Sequence, residues 1–159
     1  MKKLLFIASV LIAFIPSALS AQKKSKETGI EQMIADRNYV FTATSVTPFR
    51  AAYRQLTTVY DLRISKDSVI ADLPFFGRAF MAPYNNPTAS GIQFISTRNL
   101  YKVTERKKGG WDIVINPADQ PDVREMFLTI FANGSASLRV FNNNRDPISF
   151  SGTIAAGRQ

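Results

Sequence analysis

Apolar positions along the chain follow two periods, and the change comes near residue 38. Over 27–37, Ile30, Met33 and Ile34 recur at helical spacing while Glu31, Asp36 and Arg37 lie off that stripe. This predicts one short helix, with Thr28 as its N-cap and Glu31 completing a capping box. From Tyr39 onward the period is two. Strands are predicted over 39–47, 58–65, 68–73, 78–82, 91–97, 100–106, 111–116, 126–132, 135–141 and 147–154. Between them stand turn signals such as Asn85-Asn86-Pro87, Lys108-Gly109-Gly110, Asn133-Gly134 and Asn142 to Asp146. Short strands at this spacing, with no long helix between them, predict an antiparallel all-β domain. Local connections favour an up-and-down barrel or a strongly curved sheet, with a β-sandwich as the alternative.

Cross-strand arithmetic gives registers, because residues opposite each other share a face. With Lys66-Asp67 as a two-residue loop, Ile64 meets Val69, Leu62 meets Ala71 and Tyr60 meets Leu73, all apolar. The other face then sets Asp61 against Asp72, with Arg63 diagonal to Asp72 and able to compensate both. With Asn133-Gly134 as a two-residue type I′ loop, Phe131, Thr129 and Phe127 face Ala136, Leu138 and Val140 as the inner side. Met126, Leu128 and Ile130 then lie on a mixed outer side, which the helix stripe or a partner covers. A third hairpin runs through Lys107-Lys108-Gly109-Gly110, with Trp111, Ile113 and Ile115 inward.

Charge changes the picture at the N-terminus. Lys2 and Lys3 precede an uncharged run from Leu4 to Ile15, and small residues follow at Ala18 to Ala21. That pattern predicts a secretory signal peptide over 1–21, cleaved after Ser20 or Ala21. Pro16 closes the run short of the roughly 20 residues a membrane span needs. The chain has no Cys, so lipid attachment through an N-terminal cysteine is excluded. The product is expected to be exported, periplasmic or extracellular, and not a lipoprotein. Of the 20 basic residues, five lie before Glu27, and three of those form a basic tail over 22–26. The remaining 15 face 12 acidic side chains, too small an excess for a nucleic-acid surface. Residues 27–157 are expected to form a single domain.

Candidate chemistry is narrowed by what is missing. Without His or Cys the chain cannot run a Ser-His-Asp or Cys-His mechanism or bind zinc through thiolates or imidazoles. No cofactor or metal is expected. Asp61 and Asp72, with Arg63, read as a structural charge cluster; calcium wants six to eight oxygens, and no acidic loop supplies them. Asp72-Leu73-Pro74-Phe75-Phe76-Gly77-Arg78-Ala79-Phe80 is the least ordinary segment. Pro74 and Gly77 interrupt a strand around two adjacent aromatics that cannot both face inward. Phe75, Phe76, Arg78 and Phe80 are therefore the candidate ligand-binding residues, an aromatic cluster beside a cation. The competing expectation is a core corner with Arg78 paired to Asp72 or Asp61.

Leu73 to Phe80 resembles an L-P-Y-F-G-R-A-Y signature. Gly91-Ile92-Gln93-Phe94, Tyr101, Asn133 to Leu138 and Arg145 to Gly152 follow in order. Together they resemble a family of small exported bacterial proteins catalogued as a domain of unknown function, over about residues 30–157. The resemblance implies export and a lipocalin-like barrel topology. Phe75, Phe80 and Phe150 stand where Tyr is expected, so any hydroxyl role there is absent. The leading expectation is non-catalytic binding of a small apolar or amphipathic molecule in or at the mouth of the barrel. The alternative is an envelope protein-interaction module without a cavity, and a carboxylate-based enzyme is third. A barrel filled by Tyr60, Leu62, Phe94, Trp111 and Phe127 favours the interaction module.

Overall fold

A computed structural model of the protein describes residues 27–81 and 91–157. The expected signal peptide, the basic tail and the end of the 78–82 strand lie outside them. Helix α1 (27–35) leads into nine strands. These are β1 (Tyr39–Pro48), β2 (Arg54–Ile64), β3 (Val69–Leu73), β4 (Ile92–Ser96), β5 (Asn99–Glu105), β6 (Trp111–Pro117), β7 (Val123–Ile130), β8 (Ser135–Asn142) and β9 (Ile148–Ala156). All ladders are antiparallel, in the order β4-β3-β2-β1-β9-β8-β7-β6-β5. The first and last strands thus pair with each other. The seam of this nearly closed barrel falls between β4 and β5, which are neighbours in sequence.

The period-two pattern becomes the wall of the barrel. Phe41, Leu62, Ile115, Leu128, Leu138 and Phe150 point inward and are at most 1% exposed. Trp111 joins them, and Tyr60 and Phe94 pack against this core half-buried. Helix α1 adds Ile30 and Ile34. Thr28, expected as its cap, lies within the helix. The helix ends in a Schellman motif: Asn38 N–H donates to Met33 O at 3.0 Å and Arg37 N–H to Ile34 O at 3.2 Å. Glycine usually holds that left-handed position; here Arg37 does, at φ 50°.

The β2–β3 hairpin has the register the pattern predicts, with Leu62 opposite Ala71 and Asp61 opposite Asp72. The β7–β8 hairpin does not. Leu128 pairs with Leu138 and Phe127 with Arg139, one residue away from the expected register. The cause is the turn. Gly134 is left-handed at φ 83°, but Asn133 is not, so the loop is no type I′ turn. Phe131 N–H bonds Ser135 O at 2.9 Å and Gly134 N–H bonds Phe131 O at 2.9 Å, a type I turn with a bulge at the glycine. The Asn133 carboxamide oxygen braces it, accepting from Ser135 N–H at 2.9 Å and Oγ–H at 2.7 Å. One extra loop residue turns β7 over relative to β8, whose Ala136, Leu138 and Val140 stay inward as expected. Met126, Leu128 and Ile130 enter the core, while Phe127 and Phe131 each stay 40% exposed.

The β6–β7 loop clasps the seam. Asp119 Oδ1 accepts from Ser96 Oγ–H at 2.5 Å, and Oδ2 from the N–H groups of Thr97 and Arg98 at 2.9 and 3.2 Å. The hydroxyl bond from Ser96, helped by those N–H groups, holds the Asp119 carboxyl at about 2, below its ordinary 3.8. A depressed folded value means this stabilisation is present above about pH 4 and lost as pH falls toward 2. Wild type should therefore melt above Asp119→Asn at neutral pH. The two melting temperatures should converge between about pH 4 and 2. A gap that stayed constant down to pH 2 would show that the charge plays no part.

Candidate functional site

Strand β3 stops at Leu73, and the next segment crosses the end of the barrel where β1 ends and β2 and β9 begin. Pro74 is buried, and Phe75 and Phe76 both pack half-buried against the core. Neither points freely outward, as the sequence reading expects of one of them. Each ring carries an arginine: Arg145 lies 5.0 Å over Phe75 and Arg54 lies 5.0 Å over Phe76. Arg145 is 8% exposed and its Nη1–H donates to Gly91 O at 2.9 Å. Such stacking contributes about 0.5–1 kcal/mol at the exposed Arg54 and up to about 2 kcal/mol at the covered Arg145.

The expected strand over 78–82 is, in its described part, only a single bridge between Ala79 and Arg145. It is fixed by Asp146 N–H to Arg78 O at 3.0 Å and Phe80 N–H to Asn144 O at 2.8 Å. With the backbone held, the Arg78 side chain is exposed, and Phe80 and Met81 are 65% and 61% exposed. Arg78 forms no ion pair with Asp61 or Asp72. At the same end the β1–β2 turn presents Phe49 and Tyr53, 56% and 61% exposed, with Arg50 5.6 Å over the Phe49 ring. This end of the barrel thus carries four large side chains, each more than half exposed, and the exposed arginines Arg50, Arg54 and Arg78, while Arg145 is covered. Phe49, Tyr53, Arg54 and Arg145 are absent from the sequence-level candidate set. The aromatic-arginine pairs Phe49-Arg50 and Tyr53-Arg54 flanking a turn were the available signal.

The charge cluster divides differently from its expected form. Arg63 Nε–H and Nη2–H donate to Asp61 Oδ2 at 3.0 and 2.9 Å. Asp72 instead accepts from Gln93 Nε2–H at 2.9 Å. Arg63 thus serves one carboxylate and the neighbouring strand serves the other. Among the described residues no group of three or more His, Cys, Asp or Glu side chains stands close enough to hold a metal ion.

At the opposite end, Tyr39 and Tyr101 share a 2.8 Å hydroxyl bond, and Arg37 lies 4.5 Å over the Tyr101 ring. Burial pushes the Tyr39 phenol well above its ordinary 10.0, and burial raises that of Tyr101 too. Both are neutral hydrogen-bonding groups at physiological pH, which suits a structural tie between β1 and the edge strand β5.

Among the described residues no helix is long and apolar enough to cross a membrane. None of the curated proteins matches this chain. Its fold is similar to the crystal structure of a DUF4251 family protein from Bacteroides eggerthii DSM 20697. The TM-score is 0.59 at 14% identity, over 83% of this chain and 88% of that one. The family model described as domain of unknown function (DUF4251) matches residues 21–154, which carry α1, the barrel and the rim. The chain belongs to the DUF4251 family.

Proposed function

We propose that this is an exported, non-catalytic binding protein that takes an acidic amphipathic molecule at the open rim beside Phe80 and Arg78. The observation that carries this is that Phe49, Tyr53, Phe80 and Met81, all more than half exposed, stand with the exposed Arg50 and Arg78 at the same end of the barrel. Apolar surface left open and concentrated in one place marks an interaction site. The inward side chains of the wall pack as one core, and the ligand's apolar body is placed across the rim. The arginines select an acid over a neutral analogue. Without His or Cys the rim has no general base of ordinary pKa near 7.

Titration with a fluorescent long-chain fatty acid tests this. Arg78→Ala should weaken binding about tenfold, the scale of one charge-assisted hydrogen bond. Its melting temperature should stay near wild type, since the side chain is exposed. Phe80→Ser should weaken the acid and the corresponding alcohol alike. Equal affinity for acid and alcohol in wild type, or no effect of either substitution, would sink the proposal.

A second reading, an envelope protein-interaction module, is favoured by the outer face of β7 and β8. Phe127 and Phe141 meet edge to face at 5.7 Å, and Arg124 and Arg139 lie 5.5 and 4.9 Å over Phe141. Aromatics and arginine are the residues enriched at interface centres. A partner whose capture is abolished by Phe127→Ser but not by Phe80→Ser would favour this reading.

A further inference from the structure

We infer that the outer face of β1, β2, β3 and β9 carries a second binding site, for a free zwitterionic α-amino acid with an apolar side chain. A cleft of about 620 Å³ lies there, within the range of small-molecule sites. Its apolar walls include Val40, Val59, Ile70 and Ala155, and it holds the Asp61–Arg63 pair. The site is separate from the rim: it sits over the ladder that joins residues 39–42 to residues 61–64 and 153–156.

The ion pair is unlike an ordinary surface salt bridge. The Asp61 side chain is only 13% exposed although it lies on the outer side of a sheet, whereas that of Arg63 is 60% exposed. Exposed pairs add little to stability, and this one is half-open: the carboxylate is mostly covered while the guanidinium reaches solvent. Here both Arg63 bonds go to Oδ2. Among the described residues Oδ1 accepts no hydrogen bond, and it is open to the cleft, since no buried side-chain oxygen or nitrogen there lacks a partner. The guanidinium has five N–H donors, and two are used on Asp61.

This leaves one acceptor and several donors side by side in a cleft whose walls are part apolar and part polar, Thr42, Ser65 and Ser68 among the latter. An anion alone would face the Asp61 carboxylate, and a cation alone would face Arg63. A zwitterion satisfies both and adds no net charge to a neutral pair. Its ammonium donates to Asp61 Oδ1, its carboxylate accepts from the unused edge of Arg63, and its side chain lies against Val40, Val59 and Ile70.

The test is amide NMR titration of the full mature chain with L-leucine, N-acetyl-L-leucine and L-leucinamide. L-Leucine should shift amides of residues 40–42, 59–63, 70 and 155. The two capped analogues should bind at least about tenfold more weakly, each having lost one charge-assisted contact. Val59→Lys should abolish binding and leave the melting temperature unchanged, because Val59 is 72% exposed and its replacement only fills the cleft. Asp61→Asn should also lose the ammonium contact. Three results would overturn the inference: no shifts from L-leucine at concentrations on the order of 10 mM, a regime of only weak affinity; equal binding of the capped analogues; or binding that survives Val59→Lys. Shifts confined to the rim would equally refute it and leave the fatty-acid proposal intact.

Discussion

Replacing Phe41 by alanine should remove about 3–5 kcal/mol of stability, the cost of deleting a buried ring and leaving a cavity. Phe41 is 0% exposed near the start of β1, between Leu62 on β2 and Ile154 on β9. A domain with a total of roughly 5–15 kcal/mol cannot lose that much and stay comfortably folded. Denaturant unfolding should show the midpoint falling with little change in slope. A loss below about 1 kcal/mol would mean the neighbours close over the gap, and that this part of the wall is not packed as described.

The second large effect is expected at Gly152, where even alanine should cost about 3 kcal/mol, at the top of the range for overpacking. A Cβ there would collide with the Thr42 carbonyl oxygen across the β1–β9 ladder and come within 3.0 Å of Phe41 Cε2. The first obstacle is backbone and cannot turn aside; the second is a side chain. Unfolding of the double variant Phe41→Ala/Gly152→Ala should therefore show partial coupling. Its loss should fall short of the sum of the single losses by about 0.5–1 kcal/mol, because trimming the ring relieves only one of two collisions. Full additivity would place the ring away from the glycine.

Phe41 packs beside the stretch of the chain whose pattern was easiest to read, the β2–β3 hairpin. Tyr60, Leu62 and Ile64 alternate cleanly with Asp61, Arg63 and Ser65, and the Lys66-Asp67 loop admits few registers, so the pattern alone leads to the observed pairing. In β7 and β8 both faces are apolar: Phe127, Phe131 and Phe141 compete with Met126, Leu128 and Ile130 for the interior. Hydrophobicity could not choose between them, and the Asn133 backbone, which selects a bulged turn, decided it. Of the candidate residues, Phe80 and Arg78 are open as a binding surface requires, whereas Phe75 and Phe76 are covered. Their covers, Arg145 and Arg54, lie about 70 residues later and 20 residues earlier in the chain. No local periodicity links such positions. Export, which rests on residues 1–21, is a matter of sequence alone.

The joining of the first strand to the last has a consequence in time. Each other ladder links strands that are consecutive in sequence and forms by a short loop closing on itself, but β1 must wait for β9, pairing residue 39 with residue 156. Two meanders, β1 to β4 and β5 to β9, can assemble as separate curved ribbons while neither has a finished interior. Loop closure over so long a separation is slow and is rewarded only when it succeeds. Until then Phe41 has no Ile154 beside it and β1 is an open edge. A ribosome, or any channel that passes this chain from its N-terminus, therefore handles a barrel that cannot close until residues 148–156 come free.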